Sequence, residues 1–191
     1  MIAKVGVFIA GMAVLASVPL SAAIGQDAAI RSVHTSLRAQ DCARKVDKND
    51  PNETPYWLCP GVANYALIIR RAEAGRRSID VVDPAQRVLP LRYEEFVTRH
   101  MSSLEEKAEW RVITRAGKQV PVALIVGVQA REDADNPEKV TRTFLAIAKI
   151  MPGQACVTER IAEGTRPQAE VYRAADSAPS KPCASPLPPL R

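Results

Sequence analysis

The common catalytic signatures are missing from this chain. It holds no GxSxG, HExxH, P-loop or GxGxxG, which removes the sequence cues for a nucleophile elbow, a zinc hydrolase and a phosphate cradle. Histidine occurs twice, as His34 and His100, and there is no CxxC, so neither a zinc ribbon nor a thioredoxin-like pair is signalled. Aromatics make up 5% of the residues, too few for a platform that stacks bases or sugars. Charge of one sign is also lacking. The 26 Lys+Arg and 21 Asp+Glu leave a net +5 spread along the chain, enough for weak attraction to anionic surfaces but not a nucleic-acid footprint. The sequence therefore predicts no cofactor, no metal and no nucleic-acid partner.

What is present begins with an export signal. Lys4 precedes the apolar run "VGVFIAGMAVLA" (5–16), Pro19 breaks it, and "SAA" (21–23) supplies small residues at the −3 and −1 positions of a cleavage site. Residues 1–25 are read as a signal peptide leading to the periplasm. Val5 to Ile24 is uncharged for long enough to span a bilayer, so an uncleaved anchor is the alternative. No later segment is apolar enough to span a membrane. The rest suits one domain over 35–178 and a Pro-rich tail over 179–191, with five prolines in 13 residues.

The four cysteines, Cys42, Cys59, Cys156 and Cys183, are an even number in an exported chain, which favours disulfides. Three pairings are open. Cys42–Cys59 and Cys156–Cys183 are favoured because each closes a local loop at one end of the domain, worth about 3 kcal/mol apiece by chain entropy. A reactive thiol needs cations or a helix N-terminus nearby. Cys42 has Arg44 and Lys45 close in sequence, whereas Cys59 sits beside Trp57, Leu58 and Pro60; a structural role is favoured for both. On this reading Cys183 pins the tail.

Strand patterns dominate the middle. Residues 26–34 read as a frayed lead-in, 35–46 as a helical turn or a short strand, and 47–55 as a polar loop carrying the formal sequon Asn52-Glu53-Thr54. "ANYALIIRR" (63–71) and "RRSIDVVD" (76–83) predict a hairpin, with Gly75 supplying a positive φ in the turn. "EWRVITR" (109–115), "AG" and "KQVPVALIVGVQAR" (118–131) predict a second. In the latter, Val120, Val122, Leu124, Val126 and Val128 hold one face at a period of two, while Ala123, Ile125 and Gly127 keep the other apolar or small. That strand is expected to be central and covered on both sides, with an edge or bulge at Pro121. A meander strand follows at 140–150. Residues 91–108 read as a short helix and a turn, and 165–178 as a C-terminal helix with Thr165 as N-cap. The expected fold is α+β: one antiparallel sheet of about five strands, two hairpins plus a meander strand, partly covered by that helix.

Four polar groupings carry candidate chemistry. Tyr93, Glu94, Glu95 and His100 have acid/base residue types, but adjacent carboxylates diverge by about 100° on a helix, so a solvated helix face is favoured. His34 falls in the expected lead-in. Arg70, Arg71, Arg76 and Arg77 flank a hairpin tip and could grip a phosphate, a carboxylate or an anionic polymer; the competing reading is an exposed hairpin protected against edge-to-edge pairing. In "EWR", Trp110 is expected in the core, leaving Glu109 and Arg111 as an exposed same-face pair; an outward Trp110 serving as a ligand anchor is the alternative.

"WxCxG" at 57–61, "EWR" at 109–111 and "PGQACV" at 152–157, followed by a helix and a last cysteine, together resemble a group of uncharacterised exported bacterial proteins over roughly 35–183. The resemblance implies export, a strand-rich fold and disulfides, with Gly153 as a turn and Cys156 as a staple, and it implies no activity. The Pro-rich tail and "HMSSLEEKA" depart from that pattern. A looser similarity, to small periplasmic lysozyme-inhibitor domains, concerns architecture only. The expected function is a non-enzymatic periplasmic interaction or envelope-associated protein. The alternatives are an inhibitor or binder of an envelope hydrolase or anionic polymer acting through the 70–77 hairpin, and an enzyme of unrecognised type using Tyr93, Glu94 or His100.

Overall fold

Alternating aliphatic and polar residues build two antiparallel sheets rather than the one expected. A computed structural model describes residues 29–48, 51–52 and 54–190. The signal-peptide reading, Glu53 of the sequon and part of the expected lead-in lie outside these. Among the described residues the chain runs β1 (Arg31–Ser36), β2 (Ala43–Val46), β3 (Pro55–Pro60), β4 (Ala66–Arg71), β5 (Arg77–Val82), β6 (Val88–Pro90), α1 (Tyr93–Phe96), β7 (Met101–Arg115), β8 (Lys118–Arg131), β9 (Arg142–Met151), β10 (Gln154–Ala162) and α2 (Gln168–Asp176). The long sheet has the order β1-β7-β8-β9-β10 and the short sheet β2-β3-β4-β5-β6. Among the described residues no helix is long and apolar enough to cross a membrane.

The sheets pack face to face. Leu67, Ile69, Ile79 and Val81 of the short sheet meet Trp110, Val112, Leu124, Val126 and Ala148 of the long sheet in one buried cluster. The other face of the long sheet is apolar too: Ala123, Ile125, Ile147 and Ile161 are covered by Val171, Ala174 and Ala175 of α2. The layers are therefore sheet, sheet, helix. β8 is central and covered on both sides, as its pattern predicts. Arg111 pairs with Ala123 and Val112 with Pro121, which leaves Val122 as a bulge beside the proline that cannot donate. Ala116 and Gly117, with φ of 48° and 74°, make the two-residue turn between β7 and β8, a pair of positive values that matches strand twist. Gly75, at φ 72°, closes the β4–β5 connection.

Several expectations are corrected. The lead-in is not frayed through 34: β1 pairs with β7 from Arg31↔Val112 to Ser36↔Lys107 and forms an edge of the long sheet. Residues 101–108 are not a turn but the first half of β7, because pairing with β8 from Met101↔Arg131 to Leu104↔Val128 overrides the helix-favouring Glu-Glu-Lys. The short helix does form, as α1. The 35–46 segment is both a 3-10 turn, Ala39–Asp41, and a strand. "PGQACV" is a turn and also the opening of β10, so the long sheet gains a strand. Thr165 does not cap α2. Its hydroxyl donates to the Ala162 carbonyl at 2.6 Å, and Pro167 occupies the cap with φ −59°.

Both favoured disulfides form. Cys42–Cys59 ties the entry to β2 onto β3, and Cys156–Cys183 ties β10 to the tail. Beyond Cys183 the tail is held by backbone bonds: the Ala184 N–H donates to Val157 and the Leu187 N–H to Glu95, each at 2.8 Å.

Candidate functional site

Strand alternation sorts the four hairpin arginines into two that the fold consumes and two that it leaves. Arg70 projects beside Asp80, whose carboxylate accepts from its Nε, and its guanidinium lies 5.3 Å from the centre of the Tyr56 ring. Burial raises the Asp80 pKa and the Arg70 hydrogen bond opposes that rise. Arg76 donates to two carbonyls, Glu73 at 2.8 Å and Arg99 at 3.3 Å, and so fixes the hairpin tip to the approach of β7.

Arg71 and Arg77 face each other in register across β4 and β5. Arg71 borders a hollow shared with Asp47, Thr54, Tyr56 and Arg70. The Arg77 guanidinium lies 5.5 Å from the centre of the Trp57 ring, and its backbone N–H donates to Ser102 Oγ at 3.3 Å. Burial, with the charge of Arg71 added, lowers the Arg77 pKa. Beside it a cavity of about 210 Å3 opens between the sheets, walled by Leu37, Trp57, Ile69, Ser103 and Leu104. Arg77 alone of the two borders this cavity, which is separate from the hollow beside Arg71. A cation at the mouth of an apolar hollow, stacked on an indole, can hold an anionic group with an uncharged portion beside it.

The acid/base grouping is not brought together. Tyr93 is fully buried in the inter-sheet core, where burial drives its pKa far up and its hydroxyl has no hydrogen-bond partner. Glu94 borders a hollow with Arg70, Ser78, Asp80 and Arg92, and Glu95 pairs with Arg92 at 3.3 Å. His100 borders a different groove, with Arg99 and Arg160. Among the described residues no cluster of three His, Cys, Asp or Glu groups is placed to hold a metal.

"EWR" resolves half as expected. Trp110 is fully buried and its Nε1 donates to Thr35 Oγ1 at 3.0 Å. Glu109 and Arg111, however, are not an exposed pair. Arg111 is 6% exposed and makes a two-pronged contact with Asp176 of α2, at 2.7 and 3.0 Å, beneath the Tyr172 ring. That hydrogen-bonded carboxylate raises its pKa against the pull of burial. Ser32 accepts from Arg111 Nη1 and donates to Glu109, and His34 Nε2 stands 3.6 Å from the same carboxylate. This chain of polar groups fastens α2 and β1 to β7. The reason is positional: an odd residue on β7 faces α2, and the sequence contains no local sign that Asp176 returns to it.

Reasoning from sequence also missed Arg99, Arg142 and Arg160, which line one groove from three separate segments. Only tertiary pairing brings them together. No protein-family model matches the chain, and no curated protein or solved structure matches it either.

Proposed function

We propose that the protein is a non-enzymatic, exported binding protein that engages an anionic envelope polymer through Arg71 and Arg77. The observation that carries this reading is the cross-strand register of Arg71 opposite Arg77, close enough for the charge of Arg71 to act on Arg77. Like charges directly opposite destabilise a sheet pair, so the fold gains nothing from them. β4 and β5 are interior strands of the short sheet, but Arg71 and Arg77 lie past the last residues paired with β3 and β6, so this end of the hairpin projects beyond both neighbours and its charges stand open to an outside partner. An external polyanion turns the repulsion into attraction and recruits Arg77 where Trp57 already orients it. The two disulfides are consistent with the export part of the reading.

The test uses retention on immobilised heparin, as a generic polyanion, and co-sedimentation with isolated sacculi. The double variant Arg71→Glu/Arg77→Glu should elute at clearly lower salt and stay in the supernatant, with an unchanged melting temperature. Arg115→Glu, at the far end of β7, should behave as the parent protein does. Equal retention of the two variants would sink the proposal.

A further inference from the structure

At the end of the long sheet, the loop entering β7, the start of β9 and the end of β10 bring Arg99, Arg142 and Arg160 to one groove, with Arg142 and Arg160 over the Phe144 ring. Arg160 lies 5.1 Å and Arg142 5.8 Å from the centre of Phe144. With His100 and Glu132 they border a groove of about 270 Å3, whose remaining wall is the tail from Leu187 to Leu190. Among the described residues Glu132 is the one carboxylate at this groove, 3.8 Å from Arg142. Arg99 and Arg160 have no carboxylate partner among the described residues. They donate instead to main-chain carbonyls, Arg160 to Val97 at 2.6 Å and Arg99 to Leu187 at 2.8 Å.

Two facts set this groove apart from an ordinary patch of surface arginines. The Nε of Arg99 is buried and, among the described residues, has no hydrogen-bond partner. A buried guanidinium N–H left without an acceptor costs stability, and such groups are the places where an ion or ligand is expected. The guanidinium groups are also held in place, by carbonyls and by stacking on Phe144, so little side-chain freedom remains to be lost when an anion binds. Three arginines against one glutamate leave two positive charges, the complement of a dianion.

We infer that this groove is a second anion site, built for a phosphate dianion, either free phosphate or the phosphate of a monoester. Arg99 and Arg160 supply N–H donors to the oxygens from the groove wall, Arg142 adds charge from the rim, and Phe144 with Leu187 and Leu190 provides apolar wall for an ester group. The site shares no residue with the Arg71–Arg77 pair and stands or falls apart from it.

The test is calorimetric titration of the full chain with inorganic phosphate and, separately, with phenyl phosphate, together with the thermal shift each produces. Both should bind and raise the melting temperature; tighter binding of phenyl phosphate would assign the site to monoesters, and equal binding to the phosphate group alone. Arg99→Gln and Arg160→Gln should each weaken binding roughly ten- to a hundredfold. Arg142→Gln, at an exposed side chain that supports no backbone group, should weaken it less without altering the melting temperature of the free protein. Arg71→Glu/Arg77→Glu should bind phosphate as the parent does. Absence of heat and of thermal shift with both probes at millimolar concentration would overturn the inference, as would undiminished binding by Arg99→Gln.

Discussion

The two tryptophans stand on facing sheets and do different work. Trp110, on the long sheet, is sealed: it is fully buried, tilted 55° against Tyr65 at 6.2 Å, and crossed by the backbone at Gly61, where a Cβ would come within 3.1 Å of the indole. Trp57, on the short sheet, is half-buried and spends one face on Arg77 at the mouth of a cavity. The long sheet has strands of up to 15 residues and apolar cover on both faces, while no short-sheet strand exceeds six. Stability is concentrated in one sheet, and the other is free to present charge.

The largest expected effect concerns that contrast directly. Trp110→Ala should cost about 3–5 kcal/mol in chemical unfolding, through the void it leaves and the lost bond to Thr35. Trp57→Ala should cost less than half of that, about 2 kcal/mol or below, yet reduce heparin retention as far as Arg77→Glu does. Equal losses of stability would break the contrast.

Next come the staples. Replacing either cysteine pair by alanine should lower stability by about 3 kcal/mol, read from the denaturant midpoint. Hydrogen exchange then separates the two. Loss of Cys42–Cys59 should deprotect β2 and β3, whereas loss of Cys156–Cys183 should release the Ala184 and Leu187 amides and leave the short sheet protected.

The smallest effect is in the pH response, where the sheets have opposite signs. Burial raises the folded pKa of Asp80 despite Arg70, so its contribution is fully present below the ordinary carboxylate value of about 4 and is lost as pH rises through the raised value. On β10, burial pushes Glu159 up, but hydrogen bonds from Lys181 at 2.8 Å and Arg166 at 2.7 Å outweigh it and hold its pKa down. Its contribution is present above the ordinary value and lost as pH falls through the lowered one. Unfolding midpoints across the acid range should therefore show that Asp80→Asn removes a rise on acidification and Glu159→Gln removes a fall, each by about 1 kcal/mol or less.

Local chemistry made much of this legible. Gly75, Ala116-Gly117 and Pro121 each announce a backbone event, and the alternation in β8 announces cover on both faces, because these depend on neighbours in sequence. β1 was invisible for the converse reason. Its polar alternation buries little, and it is a strand because the edge of β7 needs a partner. "SSLEEKA" reads as helix by propensity and is strand by pairing. The hairpin arginines were recognisable as a group, but the tying down of Arg70 and Arg76 follows from Asp80 and the Arg99 carbonyl, one across the hairpin and one beyond it. Arg99, Arg142 and Arg160 come from three different segments, and no periodicity joins them.

Each bridge joins neighbouring cysteines along the chain, Cys42 to Cys59 and Cys156 to Cys183, and the two loops do not overlap. For a polypeptide entering an oxidising compartment from its N-terminus, the order of arrival is then the order of pairing. The first bridge can close while the later strands of the long sheet are still to emerge, and its partner thiol is the next one to appear. Indiscriminate oxidation of consecutive thiols yields the native connectivity, so such a chain has no need of a disulfide isomerase.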